Sequence, residues 1–170
     1  LTTVVIPNGF TSIGQWGFTG FQSLASITIP SSVTSIGDSA FQGTALTSFT
    51  IPEGVTSIGH ALFRSCSSLT SITIPESVTS IGQIAFQNCS SLTSITIPES
   101  VTSIGFAAFN GCSSLISVNL LPTTPPTLSN TNAFSSNAPG RTFYIPENTY
   151  AAYSTATNWS TYASDMEEVI

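Results

Sequence analysis

Apolar residues fall in one recurring frame along most of the chain. In Leu69-Thr-Ser-Ile-Thr-Ile-Pro75 the leucine and both isoleucines are separated by hydroxyl residues. Ile72 and Ile74 alternate with Ser71 and Thr73, the two-residue period of a strand with one apolar face and one polar face. Pro75 ends the strand, because it has no backbone N–H to give to a ladder. Val78 and Ile81 turn inward again on a second extended segment. Gly82 is expected in a backbone conformation that other residues avoid. Gln83–Phe86 are predicted as a short helix or 3-10 turn that buries Phe86, and Cys89 closes the unit.

The frame repeats. Leu69–Gly82 and Leu92–Gly105 are identical, Leu24–Gly37 and Leu46–Gly59 follow the same pattern, and Leu1–Gly14 keeps a weaker version. Pro7, Pro30, Pro52, Pro75 and Pro98 mark steps of 23, 22, 23 and 23 residues. The short step arises in Phe41-Gln-Gly-Thr-Ala-Leu46. Two further steps of 24 reach Pro122 and Pro146, so seven stacked strands are expected. A period of 20 to 29 residues is that of a leucine-rich repeat solenoid. The predicted fold is therefore parallel β-strands, one per coil of about 23 residues, with short helical or 3-10 segments on the other side. One coil cannot bury its apolar face alone, so neighbouring coils must stabilise each other.

Residues 1–120 form the regular repeats, 121–146 degenerate terminal repeats, and 147–170 a small helical cap on one continuous domain. In the degenerate part, the proline-rich run Pro122–Pro126 replaces the Val-x-x-Ile-Gly segment. In the cap, Asn148 is placed to start one helix, and Asn158 or Ser160 a second that ends near Ile170. Tyr153, Trp159 and Tyr162 are available to cover the last coil. Leu1, Val4 and Ile6 would lie at an uncovered edge.

The charge pattern removes function classes. Arg64 and Arg141 are the only strong cations and the net charge is −6, so no basic face for nucleic acid can be built. No stretch of 18 apolar residues occurs, so no transmembrane helix is expected. No signal peptide is read either; the chain starts inside a repeat, as a mature or trimmed segment would.

The string Leu-Thr-Ser-Ile-Thr-Ile-Pro-x-Ser-Val-Thr-Ser-Ile-Gly-x-x-Ala-Phe-x-x-Cys-x-x-Leu resembles the BspA-like, treponemal-type leucine-rich repeat over Leu1 to about Leu120. The tail resembles the same family through Ala133-Phe134, Tyr144-Ile-Pro146, Tyr153 and Asn158-Trp159. The resemblance implies a bacterial surface or secreted protein that adheres to host matrix proteins, other cells or receptors, with no catalytic motif. Gly17 and Leu62 depart from the pattern in the Ala column, and Phe21 and Thr44 in the Cys column.

Several residue sets invite chemistry. Cys66, Cys89 and Cys112 share a column about one strand spacing apart. Three is an odd number, however, and stacked parallel side chains seldom meet disulfide geometry, so buried free thiols are expected. No metal set joins them, since no His shares the column and no C-x-x-C occurs. Glu53, Glu76 and Glu99 also align and raise the question of calcium; the remaining oxygen ligands are not evident, and no cofactor is assigned. His60 stands beside Asp38 of the preceding coil and is the one basis for a hydrolase reading, but no G-x-S-x-G elbow accompanies it. Asn88-Cys-Ser90 and Asn158-Trp-Ser160 match the glycosylation pattern at the frequency a Ser-rich chain produces by chance.

The remaining feature is the set of outward strand residues. Ser26 and Thr28, Ser48 and Thr50, Ser71 and Thr73, Ser94 and Thr96, and Ser117 and Asn119 should form one flat face rich in donors and acceptors. That face is the candidate site for a protein or glycan ligand, host matrix included, in a non-enzymatic adhesion or recognition module. The plainer alternatives are that these residues only favour strands and water, and that the domain is a structural spacer. Trp16, His60, Arg64, Ile84 and Phe106 offer a second candidate surface on the helical side.

Overall fold

The computed structural model describes residues Leu1–Ile170. Each coil contributes a longer and a shorter strand. In chain order they are β1 (Thr3–Val5), β2 (Ser12–Ile13), β3 (Ser26–Thr28), β4 (Ser35–Ile36), β5 (Ser48–Thr50), β6 (Ser57–Ile58), β7 (Ser71–Thr73), β8 (Ser80–Ile81), β9 (Ser94–Ile97), β10 (Ser103–Ile104), β11 (Ser117–Leu120), β12 (Thr127–Leu128) and β13 (Thr142–Pro146). A helix α1 (Tyr150–Thr155), a 3-10 segment (Trp159–Asp165) and β14 (Met166–Val169) complete the chain. All strand pairing is parallel, and equivalent residues pair, as in Ser117↔Ser94 and Ile104↔Ile81. The solenoid and its register follow the period.

The turn side differs from the expectation of short helices. Alternate backbone N–H groups close turns within their own segment, as Gln87 to Ile84 (3.2 Å) and Cys89 to Phe86 (3.1 Å), and the others point at the next coil. Ala61 N–H donates to the Gln83 carbonyl (3.0 Å), Phe63 to Ala85 (2.8 Å), Ile84 to Phe106 (2.8 Å) and Phe86 to Ala108 (2.8 Å). Left-handed residues make this possible. Trp16, Ser39, Ala61, Ile84 and Ala107 have φ between +49° and +58°, a region that L-residues enter at a cost. The glycine expectation also changes: Gly82 has no positive φ. A Cβ there would lie 2.8 Å from the Ile58 carbonyl oxygen, so close approach of two coils requires it, and the left-handed turn falls two residues later, at Ile84.

Inside, Phe18, Phe41, Phe63, Phe86, Phe109 and Phe134 form one stack, with centroids 5.0–5.7 Å apart and rings nearly parallel. The cysteines are free and buried, as expected. Their thiols have a further role. Cys66 donates to the Phe41 carbonyl (3.0 Å), Cys89 to Phe63 (3.1 Å) and Cys112 to Phe86 (3.1 Å). Where the column loses cysteine, Asn137 Nδ2 serves the Phe109 carbonyl (2.8 Å) and Arg141 Nη1 serves Phe134 (2.7 Å). Burial pushes the Cys66 thiol up from its ordinary value. Cys89 is held well up, first by the neighbouring Cys112 thiol and then by burial.

The C-terminal cap is built partly as expected. The second helix predicted to end near Ile170 is instead a 3-10 segment followed by β14, which adds an eighth strand beside β13 (Phe143↔Met166). Pro122–Pro126 does not interrupt the shorter sheet: Thr127 and Leu128 continue it against Ser103 and Ile104. Tyr153, Trp159 and Tyr162 are buried over the last coil. Their polar tips satisfy its exposed carbonyls: Trp159 Nε1 donates to Pro126 (2.7 Å) and the Tyr153 hydroxyl to Pro122 (2.7 Å). The Tyr162 hydroxyl bonds the Thr131 carbonyl and accepts the Phe134 N–H (3.3 Å). Arg141 stacks on Phe143 and Tyr162 and pairs with Asp165 at 2.7 Å.

Candidate binding face

The longer strands set Ser26, Thr28, Ser48, Thr50, Ser71, Thr73, Ser94, Thr96, Ser117 and Asn119 in two files along one face. Strand alternation turns the isoleucines of Ser-Ile-Thr inward and both hydroxyls outward. The register pairs Ser48↔Ser71, Thr50↔Thr73, Ser94↔Ser117 and Thr96↔Asn119. The residues from Ser26 to Thr96 are exposed, and Ser117 and Asn119 are half-buried. Both files run further than the repeat frame indicated. Thr3 extends the first file at one end and Thr142 at the other, and Tyr144 and Glu167 continue the second beyond Asn119. The spacing to Pro146 was enough to place Thr142 and Tyr144; no sequence signal placed Glu167.

The chain uses its hydroxyls in two ways. Columns just outside the face are consumed in cross-coil bonds: Thr70 to the Thr47 carbonyl (2.9 Å), Ser77 to Val55 (2.8 Å), Ser100 to Val78 (2.6 Å) and Thr102 to Thr79 (3.2 Å). The face is different. Its one internal side-chain bond is Asn119 Nδ2 to Thr96 Oγ1, at 3.4 Å; its other hydroxyls keep their donors and acceptors free. The serines of the shorter sheet, such as Ser35 and Ser57, are also free, but in single file.

The face is not uniform. The longer strands group as β1-β3, β5-β7 and β9-β11-β13-β14. The joint between coils two and three interrupts the shorter sheet as well, between β4 and β6. Ile6 N–H donates to the Thr28 carbonyl (2.9 Å) and Ile51 N–H to Thr73 (3.1 Å), but Ile29 N–H and the Thr50 carbonyl do not bond, and nor do Ile74 N–H and the Thr96 carbonyl at the joint between β7 and β9. Between coils two and three, the one joint where both sheets break, three local changes coincide. The step is 22 residues. Phe49 replaces isoleucine or valine and wedges against Phe41 and Phe63, with centroids 4.9 and 4.8 Å away. Gly54 takes the place of Ser32, Ser77 and Ser100, whose hydroxyls bond the preceding coil. An open depression of about 420 Å³ results, lined by Ile27, Thr28, Ile29, Ser48, Thr50 and Glu53 among others.

The other candidate sets separate clearly. Glu53, Glu76 and Glu99 are exposed, one to a coil, and Glu76 accepts the Ser100 N–H at 3.3 Å. No group of three His, Cys, Asp or Glu side chains gathers where a metal would sit. Asp38 meets His60 through the backbone: its Oδ1 accepts the His60 N–H at 2.9 Å. The pair is therefore a joint between coils, not an imidazole–carboxylate relay. On the turn side Trp16, His60 and Phe106 are exposed, whereas Arg64 and Ile84 are half-buried. Asn158 spends its amide on the Leu128 carbonyl (2.7 Å). No helix is long and apolar enough to cross a membrane.

The family model described as "BspA type Leucine rich repeat region" matches six copies, over residues 1–116 and 35–163. Among solved structures, the Treponema pallidum leucine-rich repeat protein is 30% identical with a TM-score of 0.66; the match covers 86% of this chain and 74% of that one. A leucine-rich cell surface protein from Faecalibacterium prausnitzii is 28% identical with a TM-score of 0.59, covering 86% of this chain and 55% of that one. A leucine-rich repeat protein from Bacteroides ovatus shares the fold at 21% identity and a TM-score of 0.55; the match covers all of this chain and 54% of the other. No curated protein matches the chain significantly.

Proposed function

The chain belongs to the BspA-type leucine-rich repeat family, and from that premise we propose that it is a non-enzymatic recognition module of the bacterial surface or exterior. Its ligand is a protein or glycan, and the double file from Ser26 to Asn119 is the face that takes it. The observation that carries this reading is the division of labour among hydroxyls: neighbouring columns are spent on joining coils, while this face, apart from Asn119 to Thr96, is left unpaired. Unpaired hydroxyls on a rigid sheet present many donors and acceptors whose positions need no ordering on binding. The near absence of cations matches a neutral or basic partner and disfavours a polyanion. The description of the Faecalibacterium relative as a cell surface protein supports the location.

The test is surface plasmon resonance of the domain against immobilised matrix proteins and a glycan panel. Saturable binding is expected, and Thr73→Trp together with Thr96→Trp, in the middle of the face, should abolish it. Binding that survives this pair would remove the face from the proposal. Absence of any saturable ligand would favour a spacer.

A further inference from the structure

We propose that the depression between coils two and three is a subsite for one uncharged sugar residue of a glycan ligand, an inference that rests on the strand face being the recognition surface. Its floor and rim match the two kinds of surface a pyranose carries. Ile27 and Ile29 are half-exposed, as are Ile72 and Ile74 at the other open joint of the longer strands, and here they line the depression, giving an apolar floor to the C–H face of a ring. Around it stand the hydroxyls of Thr28, Ser48 and Thr50, which make no bonds within the chain, and the carboxylate of Glu53.

The interrupted ladder adds two groups that no other part of the rim supplies. The Ile29 N–H is a donor and the Thr50 carbonyl an acceptor, and both are left without partners by the joint. A sugar hydroxyl donates and accepts at once, so it can bridge such a pair. An extended peptide adding a strand would need a run of free backbone groups along a sheet edge, whereas Ile29 N–H and the Thr50 carbonyl face each other across a joint. No cation lines it, so a phosphate, sulfate or uronate would meet only Glu53. At about 420 Å³ the space is near the lower end for small-ligand sites, roughly 300–1,000 Å³, which suits one residue of a chain rather than a whole oligosaccharide.

The experiment is a titration of ¹⁵N-labelled protein with the methyl glycosides of glucose, galactose, mannose and N-acetylglucosamine, followed by amide shifts. At least one glycoside should move the Ile29 amide saturably, with Kd on the order of 1 mM. Ser48→Trp should abolish the shift and Ser117→Trp, three coils away on the same file, should not. Thr50→Val, which preserves shape and removes one hydroxyl, should weaken binding about five-fold, the loss of one hydrogen bond. Shifts spread evenly along the face, lost equally in both tryptophan variants, would overturn the subsite while leaving the face as the recognition surface. No saturable shift with any glycoside, in a protein that still binds a matrix protein through the face, would overturn it too.

Discussion

Replacing Cys89 by alanine and by serine tests what the thiol column does, because two accounts predict opposite orders of stability. Cys89 is fully buried and its Sγ lies 3.1 Å from the Phe63 carbonyl oxygen. Suppose the thiol is only a small apolar group. Cys89→Ala then loses about one buried methylene equivalent, about 0.8 kcal/mol, while Cys89→Ser also buries an ill-matched hydroxyl, costing about 1–3 kcal/mol. Serine would be the worse variant. If the thiol is the partner of that carbonyl, alanine leaves a buried acceptor unsatisfied. Its loss becomes roughly 2–4 kcal/mol, the methylene equivalent plus about 1–3 kcal/mol for the orphaned oxygen. Serine still supplies a donor and falls by only about 1 kcal/mol. The recurrence of a donor at Asn137 and Arg141, where cysteine is absent, supports the second account. Urea unfolding measures it: both variants should keep the slope and shift the midpoint, alanine further than serine. A serine variant less stable than the alanine one would refute the carbonyl-partner role.

Trp159→Ala should cost about 3–5 kcal/mol, as a fully buried ring is lost. Because each coil leans on its neighbour, hydrogen exchange should accelerate first in β13 and β14 and last in the early coils; uniform acceleration would contradict the capping role. Alkaline pH should weaken the fold through groups whose folded values are raised: Cys66 and Tyr162, and Cys89 and Tyr153 more strongly. Their contribution is complete below the unfolded values, about 8.5 for thiols and 10 for tyrosine. It is lost as pH rises through the folded ones, since the unfolded chain then releases protons that the folded chain retains. Melting temperature should therefore fall from about pH 8.5 upward, and a flat profile to pH 11 would contradict it.

The strands, their parallel order and the two files of the face were legible because one frame is repeated with little change. Ser71, Ile72 and Thr73 meet copies of themselves above and below, so their direction follows from alternation alone. The turn side was legible only in part: the turns are there, but no helix forms. Gln83–Phe86 has the composition of a helix start, but its backbone groups are claimed by the neighbouring coil. The Ile84 turn at φ +49° breaks the usual preference of a β-branched residue, and only the adjacent coil explains it. His60 and Asp38 were correctly placed side by side, yet the contact runs through a main-chain N–H that side-chain identities do not reveal.

The sequence by itself determined the period, and with it which residues form columns, which face water and which fill the core. Tertiary structure decided everything that depends on unlike segments meeting. It joined each thiol to the Phe carbonyl of the coil before, laid Met166–Val169 beside Thr142–Pro146 as an extra strand, and broke both sheets at the joint where a shortened step and Phe49 coincide. The physical reason is one of neighbours. A repeat packed on its own copy has surroundings that can be read from the repeat. A thiol, a cap or an interrupted joint answers to backbone groups on another segment, and their free valences appear only once the coils are stacked.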